Sequence, residues 1–319
     1  MRTILRIPLP QADDVADLTM RDGAVVRLRR HGRKGGVRLV VSHGNGLASN
    51  GYAPFWMPLT ERFEVIAFDV RNHGENPLHD PALHTWESFL QDFEQIFQGM
   101  QEWLGPAPTI GAFHSLSAII ALNHTLTYGP RWDALALFDP PIYPRDGHPL
   151  QRVEHAYMQQ MALSASKRPQ MYENPELLAS QLALRSTFRR WVPGSHLLLA
   201  RSTLRQTDQG TWILCNPRDL EANIYLTNVD ATIWPRMANI PVPTILIAAD
   251  PRIPDATPAA AICRAIHQEL GIHYAAIPNT THFLQIEQPA ACREALIGFL
   301  EDCHFQTQNF THGVDRPPG

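Results

Sequence analysis

Cysteine is scarce and dispersed. Cys215, Cys263, Cys292 and Cys303 are the only four in the chain, and none stands in a CxxC pair. Their apolar or helical surroundings read as buried thiols, not as a disulfide framework or a zinc site. No stretch of 18 residues is apolar without a charge, which argues against a membrane-spanning helix. The amino end, MRTILRIPLPQADD, has a short apolar patch interrupted by Arg6 and Pro8. It lacks the unbroken core of a secretory signal, so a cytoplasmic location is expected. Charge of one sign is in little excess: 27 Lys and Arg against 31 Asp and Glu leave a formal net charge of −4, which gives no reason to expect a nucleic acid or an anionic membrane as partner. Fifteen histidines include no HExxH or H-x-H context, so neither a metal nor another cofactor is expected.

What is present is an alternation. With 44% apolar and 18% charged residues the composition is that of an ordinary globular chain. Stretches 16–20 and 24–30 alternate apolar and polar residues around Arg21-Asp22-Gly23, the pattern of an antiparallel hairpin. Residues 37–44, 63–70, 108–113, 134–140, 243–250 and 273–278 are short, nearly continuous apolar runs, as in strands covered on both faces. Helical spacing fills most gaps, over 52–61, 85–104, 115–128, 257–270 and 289–301. The series predicts an α/β fold with a mostly parallel, doubly wound sheet. Its first part is expected over 1–140 and its second over 239–303, with a mainly helical lid inserted over 141–238 and a flexible tail over 304–319.

Ligands of such sheets bind at the carboxyl ends of the strands, and there the reactive residues gather. In GAFHSLSAII, residues 111–120, a strand ends and a helix begins at Ser115. Such a turn lifts a serine hydroxyl clear of the sheet and aims the first helical N–H groups at a developing oxyanion. The competing reading is a plain helix N-cap. Asp250 and Asp139 follow two other strands, and His282 lies in the loop after the last.

Together these segments resemble the α/β-hydrolase family over about residues 16–302. SHGNGL (42–47) is similar to its HG loop, DVRNHG (69–74) to its D-x-R-x-H-G segment, DPRIP (250–254) to its acid-bearing turn and HFLQIEQP (282–289) to the segment with its histidine. The resemblance implies Ser115 as nucleophile, His282 as base and Asp250 as the orienting acid, with Asp139 as the rival acid, since some members place it after the earlier strand. It also implies the N–H groups of Asn45 and Leu116 as oxyanion donors. The usual G-x-S-x-G frame is replaced, with Phe113 and Ser117 at the flanking positions. The implied activity is cofactor-free hydrolysis of a small-to-medium carboxylic ester or lactone. The alternatives are carbon–carbon cleavage of a vinylogous diketone by the same triad, and a non-catalytic binding protein on the same scaffold.

The remaining conspicuous residues have bland and functional readings side by side. His43 and His114 read as hydrogen-bonding scaffold, and Asp69, Arg71 and His73 as residues ordering the loop after the fourth strand. Arg185, Arg189, Arg190, Arg201 and Arg205 occur in the insertion without an acid among them. They are either a solvated face or a source of one or two guanidinium groups for a substrate carboxylate, with Arg189, Arg190 and Trp191 as the candidates for substrate contact. Trp191, Trp212, Tyr225 and Trp234 are expected to form the lid's own core. The partner expected is a small-molecule substrate, and the oligomeric state is open.

Overall fold

The structure is a computed structural model that describes residues 7–305. Of the expected tail, residues 306–319 lie outside the described residues. Eight strands form one sheet: β1 (Asp14–Thr19), β2 (Val25–His31), β3 (Arg38–Ser42), β4 (Glu64–Phe68), β5 (Thr109–His114), β6 (Ala134–Phe138), β10 (Thr244–Ala248) and β11 (His273–Ala276). The cap contributes β7 (Met171–Tyr172), β8 (Leu204–Gln206) and β9 (Trp212–Leu214). The order in the large sheet is β1-β2-β4-β3-β5-β6-β10-β11. The pairs β1·β2 and β2·β4 are antiparallel, and the other neighbours are parallel.

Every residue of β3, β4, β5, β6 and β10 is buried, which is why these strands read as continuous apolar runs. Their side chains still alternate between two cores. Val40, Ile66, Phe113, Leu135 and Leu246 meet the helices Trp86–Leu104, Leu116–Tyr128 and Pro258–Leu270 on one face. Leu39, Val65, Ala112, Ala136 and Ile247 meet Phe55, Trp56 and the helix Pro289–Asp302 on the other. The Trp86–Leu104 helix shows how local sequence sets the ends: the Thr85 side chain accepts from Ser88 N–H, and Gly105 at φ 77° stops it.

Three expectations need correction. The helix expected over 52–61 is broken into the 3-10 turn Ser49–Tyr52, one helical turn Ala53–Trp56 and a second 3-10 turn Met57–Glu61. Pro58 has no N–H to give the carbonyl of Pro54, so the α-helical ladder cannot run through. Arg293 Nη1 donates to that carbonyl instead, at 2.7 Å. The insertion carries the expected helices, Leu150–Ser166, Pro175–Ala183, Ser195–Thr203 and Arg218–Thr227, but also a three-stranded antiparallel sheet in the order β7-β9-β8. Trp234, expected in the lid's core, is buried in the main core and packs on His148. The four cysteines are free thiols. Among the described residues no helix is long and apolar enough to cross a membrane.

Candidate active site

Ser115 sits at the end of β5 with φ 52° and ψ −111°, a left-handed conformation that costs a non-glycine residue about 1–3 kcal/mol. Its surroundings impose the turn. Ser115 N–H donates to the Phe138 carbonyl at 3.0 Å, and Ser117 N–H to the His43 carbonyl at 3.3 Å. The Ser117 hydroxyl accepts from His114 N–H at 3.1 Å and donates to the His114 carbonyl at 3.0 Å. Ser115 makes no capping hydrogen bond to the helix it precedes, so the N-cap reading fails. Phe113 is accommodated by a glycine two residues upstream: a Cβ on Gly111 would lie 2.4 Å from Phe113 Cε2. The ring folds back over that gap and packs against Phe68, Phe93 and Trp132.

Three side chains from three strand ends meet in line. His282 Nε2 is 2.9 Å from Ser115 Oγ, and His282 Nδ1 is 2.7 Å from Asp139 Oδ2. A carboxylate oxygen accepts, so Nδ1 carries the imidazole proton and Nε2 is left to accept from the serine hydroxyl. Asp139 is fully buried, and its Oδ1 takes Ala249 N–H at 3.0 Å.

The acid expected at Asp250 is therefore replaced by Asp139. Phe138 pairs with Ile247 across β6 and β10, so Asp139 ends its strand about two residues deeper than Asp250. Asp250 is consumed by its own turn. Oδ1 accepts from Arg252 N–H and Nε, and Oδ2 from Arg252 Nη2 and Asn279 N–H. The Arg252 guanidinium holds this carboxyl well below the usual carboxylate range.

Two buried imidazoles join the loops around Ser115. His43 Nε2 accepts Val70 N–H at 3.0 Å, which leaves its Nδ1 to donate to the Gly44 carbonyl at 2.8 Å. His114 Nε2 donates to the His282 carbonyl at 2.8 Å, and its Nδ1 accepts from Tyr52 Oη at 2.7 Å. Tyr52 Oη in turn accepts Gly44 N–H at 3.2 Å. Burial pushes the pKa of both histidines down, which matches these neutral tautomers. Gly44 is pressed against the elbow: a Cβ there would lie 2.9 Å from His114 Nδ1 and 3.1 Å from Ser115 Cβ. Asn45 and Leu116 thus follow two backbones that touch at Ser115. Asp69, Arg71 and His73 do tie down the loop after β4. Asp69 accepts from Ser49 and Arg29, Arg71 is bidentate to Asp92, and His73 Nε2 accepts from Gly46 N–H and from Asn216 Nδ2.

The arginines read as candidates lie elsewhere. Arg190 is bidentate to Asp255 at 2.6 and 3.0 Å, and Arg189, whose side chain is 62% exposed, stands 3.8 Å from the same carboxylate. Both join the cap to the loop after β10 through Asp255, and among the described residues neither has a hydrogen bond or ion pair with Ser115, Asp139 or His282. Arg201 pairs with Glu176, and Arg205 donates to the Asn76 and Cys215 carbonyls. These two line a separate cavity of about 200 Å³ that includes none of Ser115, Asp139 or His282. Trp191 is buried and packs on Phe283, the neighbour of His282, with ring centroids 5.3 Å apart. Sequence reasoning also passed over Tyr52, because it was assigned to a helix face and not to the floor of the site.

The family model of the "Alpha/beta hydrolase family" matches residues 39–295. The chain belongs to the α/β-hydrolase family. Its fold agrees: the solved structure of E-2-(acetamidomethylene)succinate hydrolase superposes with a TM-score of 0.70 at 15% identity, covering 90% of this chain and 100% of that one. A thermophilic esterase from Thermogutta terrifontis gives 0.65 at 18% identity, covering 91% and 99%. At such identities the likeness is one of fold. In sequence, this α/β-hydrolase is 28% identical over 99 residues to protein phosphatase methylesterase 1 of Homo sapiens. That match takes in 30% of this chain and spans about a quarter of the relative's length.

Proposed function

We propose that this α/β-hydrolase is a serine hydrolase that cleaves a carboxylic ester, open-chain or lactone, through an acyl-enzyme. The observation that carries the reading is the continuous line Ser115 Oγ, His282 Nε2, His282 Nδ1, Asp139 Oδ2 at 2.9 and 2.7 Å. The Ser115 oxygen attacks the carbonyl as its proton passes to His282 Nε2. Asp139 holds the tautomer and stabilises the imidazolium. The N–H groups of Asn45 and Leu116 receive the oxyanion, an interaction worth about 3–4 kcal/mol per donor. The proton on Nε2 then goes to the leaving alkoxide, the carbonyl re-forms and the C–O bond to the alcohol breaks. Water attacks the acyl-enzyme with the same groups and frees Ser115. The names of two relatives, a methylesterase and an esterase, favour an ester over a carbon–carbon bond.

The test is a fluorophosphonate probe read by intact mass, beside hydrolysis of 4-nitrophenyl esters of increasing acyl length. Labelling and turnover by the wild type, with neither in Ser115→Ala, is the expected result. An unlabelled, inactive wild type overturns the reading and leaves a binding protein on a hydrolase scaffold.

A further inference from the structure

One arginine of the cap stands over the oxyanion loop instead of outside it. The inward stripe of the Leu150–Ser166 helix ends in Ala162 and Ala165, which pack on Ala222 of the Arg218–Thr227 helix. This close helix contact draws Arg168, just past the first helix, onto Glu221 in the first turn of the second. Arg168 Nη2 lies 2.6 Å from Glu221 Oε1. Glu221 is 2% exposed and wedged against the loop that carries Asn45. A Cβ on Gly46 would lie 2.4 Å from the Glu221 carboxyl carbon, and the Glu221 carbonyl accepts from Asn45 Nδ2 at 2.9 Å. The guanidinium is therefore one carboxylate away from the loop proposed to hold the oxyanion.

That guanidinium is only partly used. Among the described residues its one hydrogen bond goes to Glu221, leaving Nε and Nη1 unengaged, and the side chain is 27% exposed. Its own carbonyl is pinned by Arg218 Nη1 at 3.0 Å. An arginine held by one carboxylate through a single Nη2 contact keeps the second Nη2 hydrogen, which together with Nη1 or Nε forms a fork that fits a second planar anion in bidentate geometry. Glu221 leaves the pair with no net charge, so a singly charged carboxylate suits the place better than a dianionic phosphate.

We infer that Arg168 is the specificity-determining residue of the site and binds a free carboxylate carried by the ester substrate. This rests on the ester-hydrolase reading above.

The experiment compares mono-4-nitrophenyl glutarate with 4-nitrophenyl valerate, two esters of equal acyl length that differ in the terminal charge. The wild type is expected to prefer the half-ester at least tenfold in kcat/KM. Arg168→Met should lower that ratio at least tenfold, chiefly through KM, and Arg168→Lys should restore part of it. Because Arg168→Met strands a buried carboxylate, the double variant Arg168→Met/Glu221→Gln removes both charges and guards against a folding defect; its ratio should fall in the same way. Calorimetric titration of glutarate reads the site without catalysis, with binding expected to weaken at least tenfold in the double variant. Valerate hydrolysis with no preference for the half-ester, or with the same preference in every variant, overturns the carboxylate inference and leaves the hydrolase reading standing. If neither ester turns over and the fluorophosphonate probe does not label, the hydrolase reading falls. The glutarate titration then decides alone: binding lost in the double variant supports an Arg168 carboxylate site, and no binding to the wild type overturns it.

Discussion

Glu154 offers a stability test that depends on a single proton. It is fully buried, and neither carboxyl oxygen has a hydrogen-bond partner among the described residues. It opens the buried stripe Glu154, Met158, Ala162, Ala165, where helical spacing calls for an apolar side chain. Burial, reinforced by the charge of Asp139, pushes this carboxyl from 4.5 up to about 8. The native state thus keeps a proton that the unfolded chain releases, so unfolding free energy falls as pH rises from 4.5 towards 8 and the loss is complete above that. At about 1.36 kcal/mol per pKa unit, the deficit relative to an ordinary glutamate grows by about 3 kcal/mol between pH 5.5 and pH 8.5. Glu154→Gln keeps the volume and removes the ionisation. The stability of the variant relative to wild type should therefore improve by about 3 kcal/mol between those pH values. Urea unfolding followed by both circular dichroism and tryptophan fluorescence measures it, and comparing the two proteins at each pH cancels the titrating groups that are not coupled to Glu154. A difference that stays flat to within about 0.5 kcal/mol would refute the buried, proton-retaining state of Glu154.

The remaining expectations concern the turn and the triad. Asp139→Asn should lower kcat by about 10⁴ while leaving the fold, because the amide favours the wrong imidazole tautomer; Asp250→Asn should stay within about tenfold of wild type in kcat, and the reverse outcome would return the acid to Asp250. Gly44→Ala puts a methyl 2.9 Å from His114 Nδ1, and a loss of about 10² in kcat at unchanged melting temperature is expected as the oxyanion loop shifts. Gly111→Ala should destabilise by about 1–3 kcal/mol through overpacking against Phe113 and Leu135, with partial recovery on adding Phe113→Leu; urea midpoints of the two variants check it.

The sheet was legible because its central strands are covered on both faces and read as nearly continuous apolar runs, with polar residues such as Arg38, Glu64, Thr109 and His114 only at their ends, and because helical stripes such as Phe89, Phe93, Ile96 and Met100 stand between them. The cap's small sheet was not. β8 and β9 have three residues each and β7 two, too short to display a period of two. Its one local mark was the Thr207–Thr211 turn, with Gly210 at φ 83°. Ser115 and His282 could be read from motifs, since each stands at a fixed offset from a strand end. The acid could not, because two neighbouring parallel strands both end in aspartate, and the choice depends on how deep each strand stops in the sheet. The decisive quantity is the register Phe138 to Ile247, a long-range property that local patterning does not carry. Arg168 was invisible for a similar reason: Lys167 and Arg168 end a helix as ordinary surface cations do, and only the Ala162, Ala165 and Ala222 contact turns the second of them inward.

The loss of glycine at the elbow shows what the turn requires. A G-x-S-x-G frame supplies space on both sides of a strained serine, and here the two needs are met separately. Upstream, the space moves from position 113 to Gly111, and Phe113 fills it from above. Downstream, Ser117 adds a hydroxyl that bonds both backbone groups of His114, so the turn gains restraint where a glycine would have given only freedom. His114 then carries that restraint outward, to Gly44 through Tyr52 on one side and to the carbonyl of His282 on the other. The segments carrying Ser115, Gly44 and His282 are held to one another by one neutral, fully buried imidazole. A ring at 114 without two polar nitrogens would lose both the link through Tyr52 to Gly44 and the link to the His282 carbonyl.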